Sequence, residues 1–590
     1  MDGLPYKSLP AMFCEVCARP DFPGWNAYAD GTWRHYSGEE LLVRLRAMFF
    51  AFKRRGIKKG SVVGIVAPPS PDWVLIDLAI QTCGGIVVPM FPNAAETSFV
   101  YIKDHAEITT LVLDSIDTLD EELRSCLPLF HQIFQISLGE FPENAEHLGS
   151  LLEEGKAVAL NSGGQEEFNR AVAELPSEEV FSIIYTSGST GLPKGVPLTH
   201  ANIMAQFAPL EEVLRLAPGE KALSILPTAH IFERLVIFFY VHARLEVFFG
   251  GDPKQLAMRI REVEPVAMTV VPRLLERIFE TFVKYANTSP FPKSLLLKLA
   301  CRWAIIHPPG KRRSLSKLVY DRLVFRPFRK KFSDFRYLVS GGSALNKSIE
   351  RFFMNAGLPV LEGYGMTECA PVVSINVNPE KIGSVGEPLS CVKVKIDRTD
   401  EILVKGPNVF KGYYKLEYEN AKYFTKDGYF RTGDSGFFGK TGALYLTGRI
   451  KEMFKTSTGK YVSPTPIEEV LETLPVISFA CVVANNRKFV SAVLFLSEEN
   501  LRALFPLMGE EFSLEFAAGT RRVRDLVERH VRKVNKHLNH WEQVRRWTIV
   551  LAEPSSQNGL LTPTLKLCRR EVERRFAKEI DEMYREEQPA

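Results

Sequence analysis

Apolar and polar positions follow two different periods along the first three quarters of the chain. Short apolar runs rich in β-branched residues, among them residues 61–66, 85–89 and 267–272, predict buried strands. Longer stretches between them, such as 39–53 and 73–82, carry apolar residues at helical spacing. Strands that alternate with helices in this way are typical of α/β layers whose parallel strands are buried on both faces.

The pattern changes after about residue 380, where short strands and turns dominate. Residues 392–396 and 401–405 are two such predicted strands, and they indicate a smaller β-rich subdomain. A domain boundary is expected at 448–451. We therefore predict a large N-terminal domain over residues 1–447, built from layered α/β subdomains and the β-rich one.

The last part of the chain predicts a compact α+β unit. Apolar runs at 479–484 and 490–496 indicate two strands, and a helical pattern follows over 520–540. A chain of 590 residues is too long for one ordinary hydrophobic core, so at least two domains are expected. We predict a small C-terminal domain over residues 448–590.

Composition and charge exclude several classes of protein. Hydrophobic residues make up 45% of the chain and charged residues 24%, which is ordinary for a folded soluble protein. The net charge of +4 is small for this length and does not indicate general nucleic-acid binding. The nine cysteines are scattered, and the Cys14–Cys17 pair has no second pair at zinc-finger spacing, so reduced, unpaired thiols are expected.

The expected location is the cytoplasm. The first seven residues lack a basic region followed by an apolar core, so no signal peptide is expected. The best candidate for a membrane span, residues 235–241, lies between Arg234 and Arg244 and is far shorter than the ~20 apolar residues that a spanning helix needs.

Candidate chemistry is concentrated first in a glycine-rich loop. Residues 185–196 read Tyr-Thr-Ser-Gly-Ser-Thr-Gly-Leu-Pro-Lys-Gly-Val. Glycines let backbone N–H groups approach an anion, hydroxyls donate hydrogen bonds and Lys194 supplies charge, a combination that suits a polyphosphate. In a Walker A loop a Ser or Thr follows the lysine, whereas Gly195 follows it here. The candidate phosphate-binding residues are Thr186, Ser187, Gly188, Ser189, Thr190, Gly191 and Lys194.

This loop resembles the phosphate loop of the adenylate-forming, AMP-binding enzymes, which include acyl-CoA synthetases, luciferases and the adenylation domains of peptide synthetases. Six further motifs follow in the family's order: Leu-Pro-Thr-Ala-His at 226–230, Ser-Gly-Gly-Ser-Ala at 340–344, Glu-Gly-Tyr-Gly-Met-Thr-Glu at 362–368, Tyr-Phe-Arg-Thr-Gly-Asp at 429–434, Gly-Arg-Ile-Lys-Glu at 448–452 and Leu-Thr-Pro-Thr-Leu-Lys at 561–566. One match can arise by chance, but six in order identify the chain as a member of this superfamily.

The resemblance implies that the chain activates a carboxylic acid with ATP, forms an acyl-adenylate and releases pyrophosphate, with Mg²⁺ as cofactor. In that reaction Thr367 contacts the α-phosphate, and Thr186 and Glu368 hold Mg²⁺, which prefers hard oxygen ligands. Contacts to adenine and ribose are implied for Gly342, Ser343, Glu362, Gly363, Tyr364, Asp434 and Arg449.

Lys566 is the implied catalytic cation, because its ammonium would bridge the incoming carboxylate and the α-phosphate and offset their repulsion. The family's more familiar form is Ser-Gly-Lys, whereas Thr-Leu-Lys here resembles the long-chain branch.

The resemblance implies roles for three further places in the chain. His230 matches a pocket histidine and is expected to orient the carboxylate or gate a tunnel. Lys451 matches the hinge about which the small domain rotates between half-reactions. Residues 459–464 would then meet the arm of the thiol substrate, or form a plain surface turn.

The identity of the acid is readable only indirectly. The sequence around 226–234, 535–547 and 561–566 resembles long-chain acyl-CoA synthetases and their relatives that use acyl carrier protein. Apolar residues that follow His230 either line an acyl tunnel or belong to an ordinary core. These residues are Phe232, Leu235, Val236, Phe238 and Phe239.

The acceptor thiol is expected to be that of CoA, with the phosphopantetheine of an acyl carrier protein as the alternative. Nine cations within 521–546 suit the phosphates of CoA or the acidic face of a carrier. An acyl-AMP ligase, an amino-acid adenylation domain and a catalytically silent fatty-acid-binding protein also stay open. The intact Lys194, Glu368, Asp434, Arg449 and Lys566 argue against the silent protein.

Residues 293–336 combine many cations with apolar residues. Thirteen Lys or Arg residues stand there against Asp321 and Asp334. A basic, apolar segment of this kind either lies on an anionic membrane or forms a solvated helix face over the core. It supports the hypothesis of peripheral contact at the inner face of a membrane.

Overall fold

The chain folds into a large N-terminal domain and a small C-terminal α+β domain. The N-terminal domain contains two large sheets of mixed parallel and antiparallel strands, covered by helices, and one smaller antiparallel sheet. The computed structural model describes residues 4–29, 31–142, 144–186, 192–252, 255–310, 315–332, 335–378, 380–457, 461–502, 504–505, 512–562 and 565–585. The α/β class predicted from the sequence is confirmed.

The strands are short, and most are parallel to a neighbour in the two large sheets. They are β1 Trp25–Ala29, β2 Thr32–Tyr36, β3 Val62–Val66, β4 Ile86–Pro89, β5 Thr110–Leu113, β6 Gln132–Gln135, β7 Ala145–His147, β8 Val180–Thr186, β9 Lys194–Thr199, β10 Lys221–Ser224, β11 Glu246–Phe249, β12 Ala267–Val270, β13 Tyr337–Ser340, β14 Val360–Gly365, β15 Val372–Ile375, β16 Glu387–Pro388, β17 Lys393–Ile396, β18 Glu401–Lys405, β19 Phe430–Phe438, β20 Leu444–Arg449, β21 Phe454–Lys455, β22 Tyr461–Val462, β23 Ile477–Val483, β24 Val490–Leu496 and β25 Val544–Val550.

The helices cover these sheets and connect their parallel strands. They are α1 Leu9–Cys17, α2 Gly38–Arg54, α3 Pro71–Thr82, α4 Glu96–His105, α5 Glu121–Arg124, α6 Leu148–Ala159, α7 Ser162–Glu174, α8 His200–Met204, α9 Phe207–Leu214, α10 Ile231–His242, α11 Leu256–Val263, α12 Pro272–Thr288, α13 Lys293–Ile306, α14 Leu315–Tyr320, α15 Arg326–Arg329, α16 Lys347–Ala356, α17 Glu417–Asn420, α18 Pro464–Leu471, α19 Glu498–Arg502, α20 Leu514–Gly519, α21 Arg521–Asn535, α22 Arg569–Arg575 and α23 Ala577–Tyr584.

The nine-stranded sheet has a parallel centre and antiparallel strands at both edges, whereas the seven-stranded sheet is antiparallel at one edge only. The seven-stranded sheet has the order β7-β6-β5-β3-β4-β8-β9, and β9 returns antiparallel to β8. The nine-stranded sheet has the order β16-β15-β14-β13-β12-β10-β11-β1-β2, in which β10 to β14 are parallel. The carboxyl ends of β12, β13 and β14 therefore lie at one edge of the sheet, where ligands commonly bind in α/β folds.

Local sequence explains where the long helices begin. Ser37 accepts from the Glu40 N–H while the Glu40 carboxylate accepts from the Ser37 N–H, so a capping box starts α2. Pro71 takes the first position of α3, where its missing N–H costs nothing, and Ser70 caps that helix.

A buried ion pair fixes the helix that enters the candidate site. Arg234 of α10 donates from Nε to Asp77 Oδ2 of α3 at 2.8 Å, and its Nη1 reaches the Ser182 hydroxyl of β8 at 2.7 Å. The guanidinium also lies over the Trp73 ring. Because breaking such a pair would leave an uncompensated buried charge, α10 is anchored to both α3 and β8.

The β-rich subdomain predicted after residue 380 is present as the antiparallel sheet β17-β18-β19-β20. Its strands β17 and β18 coincide closely with the predicted strands 392–396 and 401–405. Asp434 and Arg449 are register partners on β19 and β20. The sheet therefore brings these two distant motif residues side by side.

The C-terminal domain packs β23, β24 and β25 against α18 and α21. The helical prediction over 520–540 was too long, since α21 ends at Asn535. The Asn535 side chain accepts from the Val544 N–H at 2.9 Å and donates to the Val544 carbonyl at 2.8 Å. These bonds turn the chain back into β25, so the helix ends five residues early.

The apolar run at 235–241 lies inside α10 and is buried in the protein core. Within the described ranges, no helix combines the length and apolarity that crossing a bilayer requires. Cys14 and Cys17, like the other cysteines, are free thiols in the structure.

Candidate active site

The glycine-rich loop connects two antiparallel strands. Thr186 ends β8, Lys194 begins β9, and the two residues are register partners. The two strands therefore hold Thr186 and Lys194, at the two ends of the loop, next to each other. The predicted phosphate-binding residues between them, Ser187, Gly188, Ser189, Thr190 and Gly191, lie outside the described residues.

Two tyrosines that the sequence reasoning missed surround Lys194. The Lys194 ammonium donates to the Tyr423 hydroxyl and lies 4.6 Å from the centre of the Tyr423 ring and 5.1 Å from that of Tyr413. Cation–π attraction of this kind stabilises a cation near a buried ring. Both tyrosines occur in a turn-rich stretch whose sequence carries no signal of a site.

Glu368 lies in a short 3₁₀ turn, Thr367–Cys369, that follows β14. The Tyr413 hydroxyl donates to Glu368 Oε1 at 2.8 Å. Burial raises the pKa of the Glu368 carboxyl, while the Tyr413 hydrogen bond opposes that shift. Tyr413 therefore links the carboxylate of one predicted motif to the lysine of another.

The surroundings of Glu368 fit Mg²⁺ held mainly by a nucleotide. In the part of the chain that the structure describes, no group of three His, Cys, Asp or Glu side chains could hold a metal ion by itself. Mg²⁺ in nucleotide enzymes needs one or two protein oxygens in addition to phosphate oxygens and water. A buried carboxylate oxygen on Glu368 and a hydroxyl oxygen on Thr186 are ligands of that type.

The two predicted ribose residues form one network with the predicted adenine residue. The Tyr364 hydroxyl donates to Asp434 Oδ2 at 2.8 Å, and Arg449 Nε lies 3.3 Å from Asp434 Oδ1. Burial raises the pKa of the Asp434 carboxyl, and the nearby Arg449 charge opposes the shift. The structure brings together three residues that the sequence separates by 85 positions.

The other predicted adenine residues lie where β13 and β14 end. Gly342 has a φ of +88°, a conformation that favours glycine, and a Cβ there would meet no atom within 4 Å. Ser343 is exposed beside it, and Gly363 lies within β14. Glu362 Oε1 accepts from the Leu345 N–H at 2.9 Å, and burial raises the pKa of its carboxyl to about 8. Glu362 thereby fixes the backbone that follows the Gly342 turn.

Lys566 crosses from the C-terminal domain to the N-terminal one. Its ammonium donates to the Gly342 carbonyl at 2.5 Å. The Lys566 backbone N–H bonds to Thr562 Oγ1 at 3.1 Å, and Leu561 bridges Leu567, so a tight turn presents the lysine. Desolvation and then the Arg449 charge lower the pKa of Lys566, while Asp434 opposes them. Lys566 is an exposed residue, and it contacts the other domain through the Gly342 bond.

His230 stands at the start of α10, where its Nδ1 accepts from the Phe232 N–H at 3.3 Å. Desolvation, together with the Lys566 charge, lowers the pKa of His230 to about 4. The imidazole is therefore neutral at pH 7. Its tautomer is fixed by this hydrogen bond, which leaves Nε2 as a donor.

A small apolar cavity lies behind His230 along α10. Its volume of about 20 Å³ has room for about one water molecule and is far below the ~300 Å³ of a small ligand pocket, so an acyl chain requires side chains to move. Four of the five predicted tunnel residues line it, namely Phe232, Leu235, Val236 and Phe239. The fifth, Phe238, is fully buried and lies outside this lining.

The predicted hinge lies between β20 and the C-terminal domain. Lys451 belongs to the 3₁₀ turn Ile450–Glu452, which follows Arg449 directly. Of the segment 459–464, predicted to meet the thiol substrate, Gly459 and Lys460 lie outside the described residues, Tyr461–Val462 form β22, and Pro464 begins α18. A rotation about Lys451 and a boundary at 447/448 stay predictions.

Two family models match most of the chain. Residues 18–414 match the AMP-binding enzyme family, and residues 452–588 match the AMP-binding enzyme C-terminal domain. The chain belongs to the AMP-binding enzymes. This assignment confirms the superfamily that the motifs indicated.

Full-length relatives place the chain in the long-chain acyl-CoA synthetase branch of that family. It is 31% identical to long-chain-fatty-acid–CoA ligase FadD15 of Mycobacterium bovis, over 96% of this chain and 95% of the relative. It is 30% identical to long-chain-fatty-acid–CoA ligase 6 of Homo sapiens, over 88% of this chain and 78% of the relative.

Solved structures share the fold at lower identity. The adenylation domain of a carboxylate reductase from Mycobacterium chelonae superposes with a TM-score of 0.74 at 19% identity, covering 98% of this chain and 91% of that domain. The o-succinylbenzoate CoA synthetase of Bacillus subtilis, in complex with ATP and magnesium ion, gives a TM-score of 0.66 at 19% identity, covering 95% and 98%.

Proposed function

We propose that this protein is a long-chain fatty acid–CoA ligase. It activates the acid with ATP to acyl-AMP and pyrophosphate, and then transfers the acyl group to the thiol of CoA. The observation that carries the proposal is the Lys566 ammonium, which reaches the Gly342 carbonyl beside the Asp434–Arg449 pair. The names of its relatives support the acid and the acceptor.

The phosphates of ATP occupy the glycine-rich loop in this proposal. Lys194 and the loop hydroxyls bind the β- and γ-phosphates, and Thr367 contacts the α-phosphate. Mg²⁺ held by Glu368 and Thr186 neutralises phosphate charge when it is bound. Lys194 is held by its contacts with two tyrosine rings, and Glu368 is held by its bond to Tyr413. Both side chains are therefore positioned for the phosphates before the nucleotide binds.

The nucleoside lies across the ends of β13 and β14. Adenine stacks on Tyr364, and the open space at Gly342 lets the base approach the backbone. Ser343, Glu362 and Gly363 complete that side of the site. Asp434 accepts hydrogen bonds from the ribose hydroxyls, and Arg449 balances its charge.

Adenylation joins two anions, so its barrier is largely electrostatic. A carboxylate oxygen of the acid attacks the α-phosphorus, the bond to the β-phosphate bridging oxygen breaks, and pyrophosphate leaves. The Lys566 ammonium lies between the two anions and stabilises the developing charge. Neutral His230 donates a hydrogen bond that orients the carboxylate without adding a proton to it.

Thioester formation needs a second arrangement of the domains. With Lys566 at the α-phosphate, the thiol has no path to the acyl carbon. We infer that the domain 448–590 rotates about Lys451 relative to 1–447, so that the thiolate attacks the acyl carbonyl and AMP leaves. The segment 459–464 then meets the arm of CoA.

Hydroxamate trapping tests the first half-reaction. With palmitate, ATP, Mg²⁺ and hydroxylamine, the protein should yield palmitoyl hydroxamate and one pyrophosphate per product. A protein that binds palmitate but gives no hydroxamate would instead be a silent fatty-acid-binding protein. Profiling acids by length and polarity in the same assay separates a fatty acid ligase from an amino-acid adenylating enzyme.

An acyl carrier protein is the second candidate acceptor, and one observation favours keeping it. Helix α21 buries Val523, Val527 and Val531 on one face and turns its arginines to solvent on the other. A basic helix face of this kind complements an acidic carrier. Offering CoA and a phosphopantetheinylated carrier in separate reactions decides between them, and turnover with the carrier only would overturn the CoA proposal.

The substrate also bears on location. Because a long-chain acid partitions into bilayers, the proposed activity suits a cytoplasmic enzyme that makes peripheral contact with anionic membrane through residues 293–336.

A further inference from the structure

Three buried side-chain amides bond the backbone around the turn that carries Thr367 and Glu368. They belong to Asn202, Gln206 and Asn408, of which the last two are fully buried. Burying a polar amide is unfavourable unless its donors and acceptors are paired. The groups with which these amides pair therefore indicate what they do.

Gln206 holds the backbone on both sides of Pro371. Its Nε2 donates to the Ala370 carbonyl and, at 3.0 Å, to the Asn202 carbonyl, while its Oε1 accepts from the Val372 N–H at 2.9 Å. A primary amide can donate to a carbonyl and accept from an N–H of the same segment at once. Gln206, which stands between α8 and α9, therefore connects the end of α8 to the turn.

Asn408 bonds the same turn. Its Nδ2 donates to the Cys369 carbonyl at 2.8 Å and to the Val372 carbonyl at 3.0 Å. Between these two carbonyls, Ala370 has a φ of +59°, a left-handed conformation that residues other than glycine rarely adopt. Such a backbone persists where its surroundings hold it, so the amides of Gln206 and Asn408 keep the turn in its shape.

Asn202 joins these amides to strand β9, which begins with Lys194. The Asn202 Oδ1 accepts from the Thr199 N–H, at the end of β9, at 2.9 Å. Its Nδ2 donates to the carbonyls of Pro407 and Val409, at 2.8 and 3.3 Å, which flank the third amide in the chain. The hydrogen bonds thus run from the strand of the lysine to the turn of the carboxylate.

The segment that contains the third amide also contacts the site directly. The Phe410 N–H donates to the Glu368 carbonyl at 2.9 Å, and the Tyr414 N–H donates to the Gly195 carbonyl at 2.8 Å. Gly195 follows Lys194 in the chain. The strand of the lysine, the turn of the carboxylate and this third segment therefore form one hydrogen-bonded unit.

We propose that Gln206 is a positioning residue that sets the place of Thr367 and Glu368 relative to Lys194. It acts through the backbone of the turn and needs no contact with the nucleotide. This inference rests on the proposed function, which assigns the α-phosphate to Thr367 and Mg²⁺ to Glu368. A displacement of the turn by about 1 Å would move both groups away from the phosphates that Lys194 binds.

A purely structural glutamine is the competing explanation, and the chain contains one that serves as a control. Gln135 on β6 is also fully buried, and its Nε2 donates to the carbonyls of Ser137 and Glu140, both at 3.0 Å. Three strands separate β6 from β8, which leads into the glycine-rich loop. Gln206→Met and Gln135→Met both replace a buried amide by an apolar side chain of similar length. Both should lower the free energy of unfolding, but only the first should change the site.

The test is calorimetry of ATP binding at several Mg²⁺ concentrations, without fatty acid or CoA. Gln206→Met should raise the Mg²⁺ concentration that half-saturates ATP binding about tenfold, in the range of losing a group that orients a metal ligand. Gln135→Met should keep the wild-type value. Denaturant titrations of both variants measure the loss of stability that they share.

A double variant shows whether Gln206 acts through Glu368. In the Glu368→Gln background, where the carboxylate ligand is already lost, Gln206→Met should raise the half-saturating Mg²⁺ concentration less than about twofold further. As large a rise in this background as in the wild type, or an unchanged Mg²⁺ dependence of Gln206→Met, overturns the inference. Gln206→Asn, whose amide is one methylene too short, gives the same readings where the methionine variant fails to fold.

The outcome for Gln206 is separable from the outcome for the proposed function. A wild type that binds ATP with Mg²⁺ but forms no palmitoyl hydroxamate overturns the proposed function, and the role of Gln206 in Mg²⁺-dependent binding is still measured. A wild type that forms the hydroxamate while Gln206→Met keeps its Mg²⁺ dependence overturns the positioning role alone.

Discussion

The two sides of the nucleotide cleft hold their charges in opposite ways. On the N-terminal side, Glu368 and Asp434 are buried, and a tyrosine hydroxyl bonds each of them. On the C-terminal side, Lys566 is an exposed residue and extends from a turn to a backbone carbonyl of the other domain. The first side is fixed by its own fold, and the second depends on the position of a whole domain.

The contrast between the fixed carboxylates and the lysine carried by the other domain predicts that nucleotide binding and the chemical step depend on different residues. Groups that are positioned before the substrate arrives contribute to nucleotide affinity in every conformation. In the proposed mechanism, a charge carried by the C-terminal domain acts when that domain is in place and leaves with the proposed rotation. We therefore expect variants on the N-terminal side to change binding and Lys566 variants to change the chemical step.

The largest effect is expected for Lys566→Ala. Removing the cation that stabilises the transition state should lower acyl-adenylate formation about 1,000-fold, in the range of a lost oxyanion-hole donor. The dissociation constant of ATP should change less than about threefold, since the nucleotide contacts lie on the other side. Pyrophosphate release and calorimetry measure the two quantities. Undiminished adenylation by this variant would contradict the proposed mechanism.

Glu368→Gln should have the next largest effect, but mainly on binding. An amide offers Mg²⁺ a weaker oxygen than a carboxylate does, so kcat/KM for ATP should fall about 100-fold. The concentration of Mg²⁺ that half-saturates ATP binding should rise as well. Calorimetric titrations with ATP at several Mg²⁺ concentrations measure this half-saturating concentration. If the Mg²⁺ requirement is unchanged, Glu368 does not hold the metal.

Tyr413→Phe sharpens the comparison, because it removes the hydroxyl that bonds Glu368 and keeps the ring beside Lys194. Losing a hydrogen bond to a charged group should raise KM for ATP about tenfold, with kcat reduced less. Tyr418→Phe is the matched control, since the Tyr418 side chain is 99% exposed in the same segment. A purely structural tyrosine would lower stability in denaturant titrations without changing the Mg²⁺ dependence.

The smallest expected effect is on pH dependence. Burial and Arg449 lower the pKa of Lys566, and the lysine must be protonated to act as a cation. Adenylation should therefore be present at lower pH and fall as pH rises through this lowered pKa, at a pH below that of an ordinary lysine. The kcat/KM profile of wild type should show this basic limb, and Lys566→Arg should shift it upward, because arginine stays charged.

Sequence reasoning predicted the fold class, the family and seven strands that the structure contains, because these depend on periods and motifs that lie within short stretches. It assigned Asp434 and Arg449 to one ribose site, and the β19–β20 register places them together. Their roles, like those of the other site residues, stay predictions. Tyr413 and Tyr423 were missed because their contacts with Glu368 and Lys194 come from residues 45 and 229 positions away.

Two helices show where the sequence stopped being informative. Both α10 and α13 are rich in apolar residues, so their sequences predict helices that bury a face. The sequence by itself determined that these segments are helical and which residues share a face. Only the tertiary structure decided that α10 is buried on nearly all sides while α13 leaves a leucine stripe exposed. Periodicity fixes the direction of each side chain around the helix axis, whereas burial depends on which distant elements pack against that side.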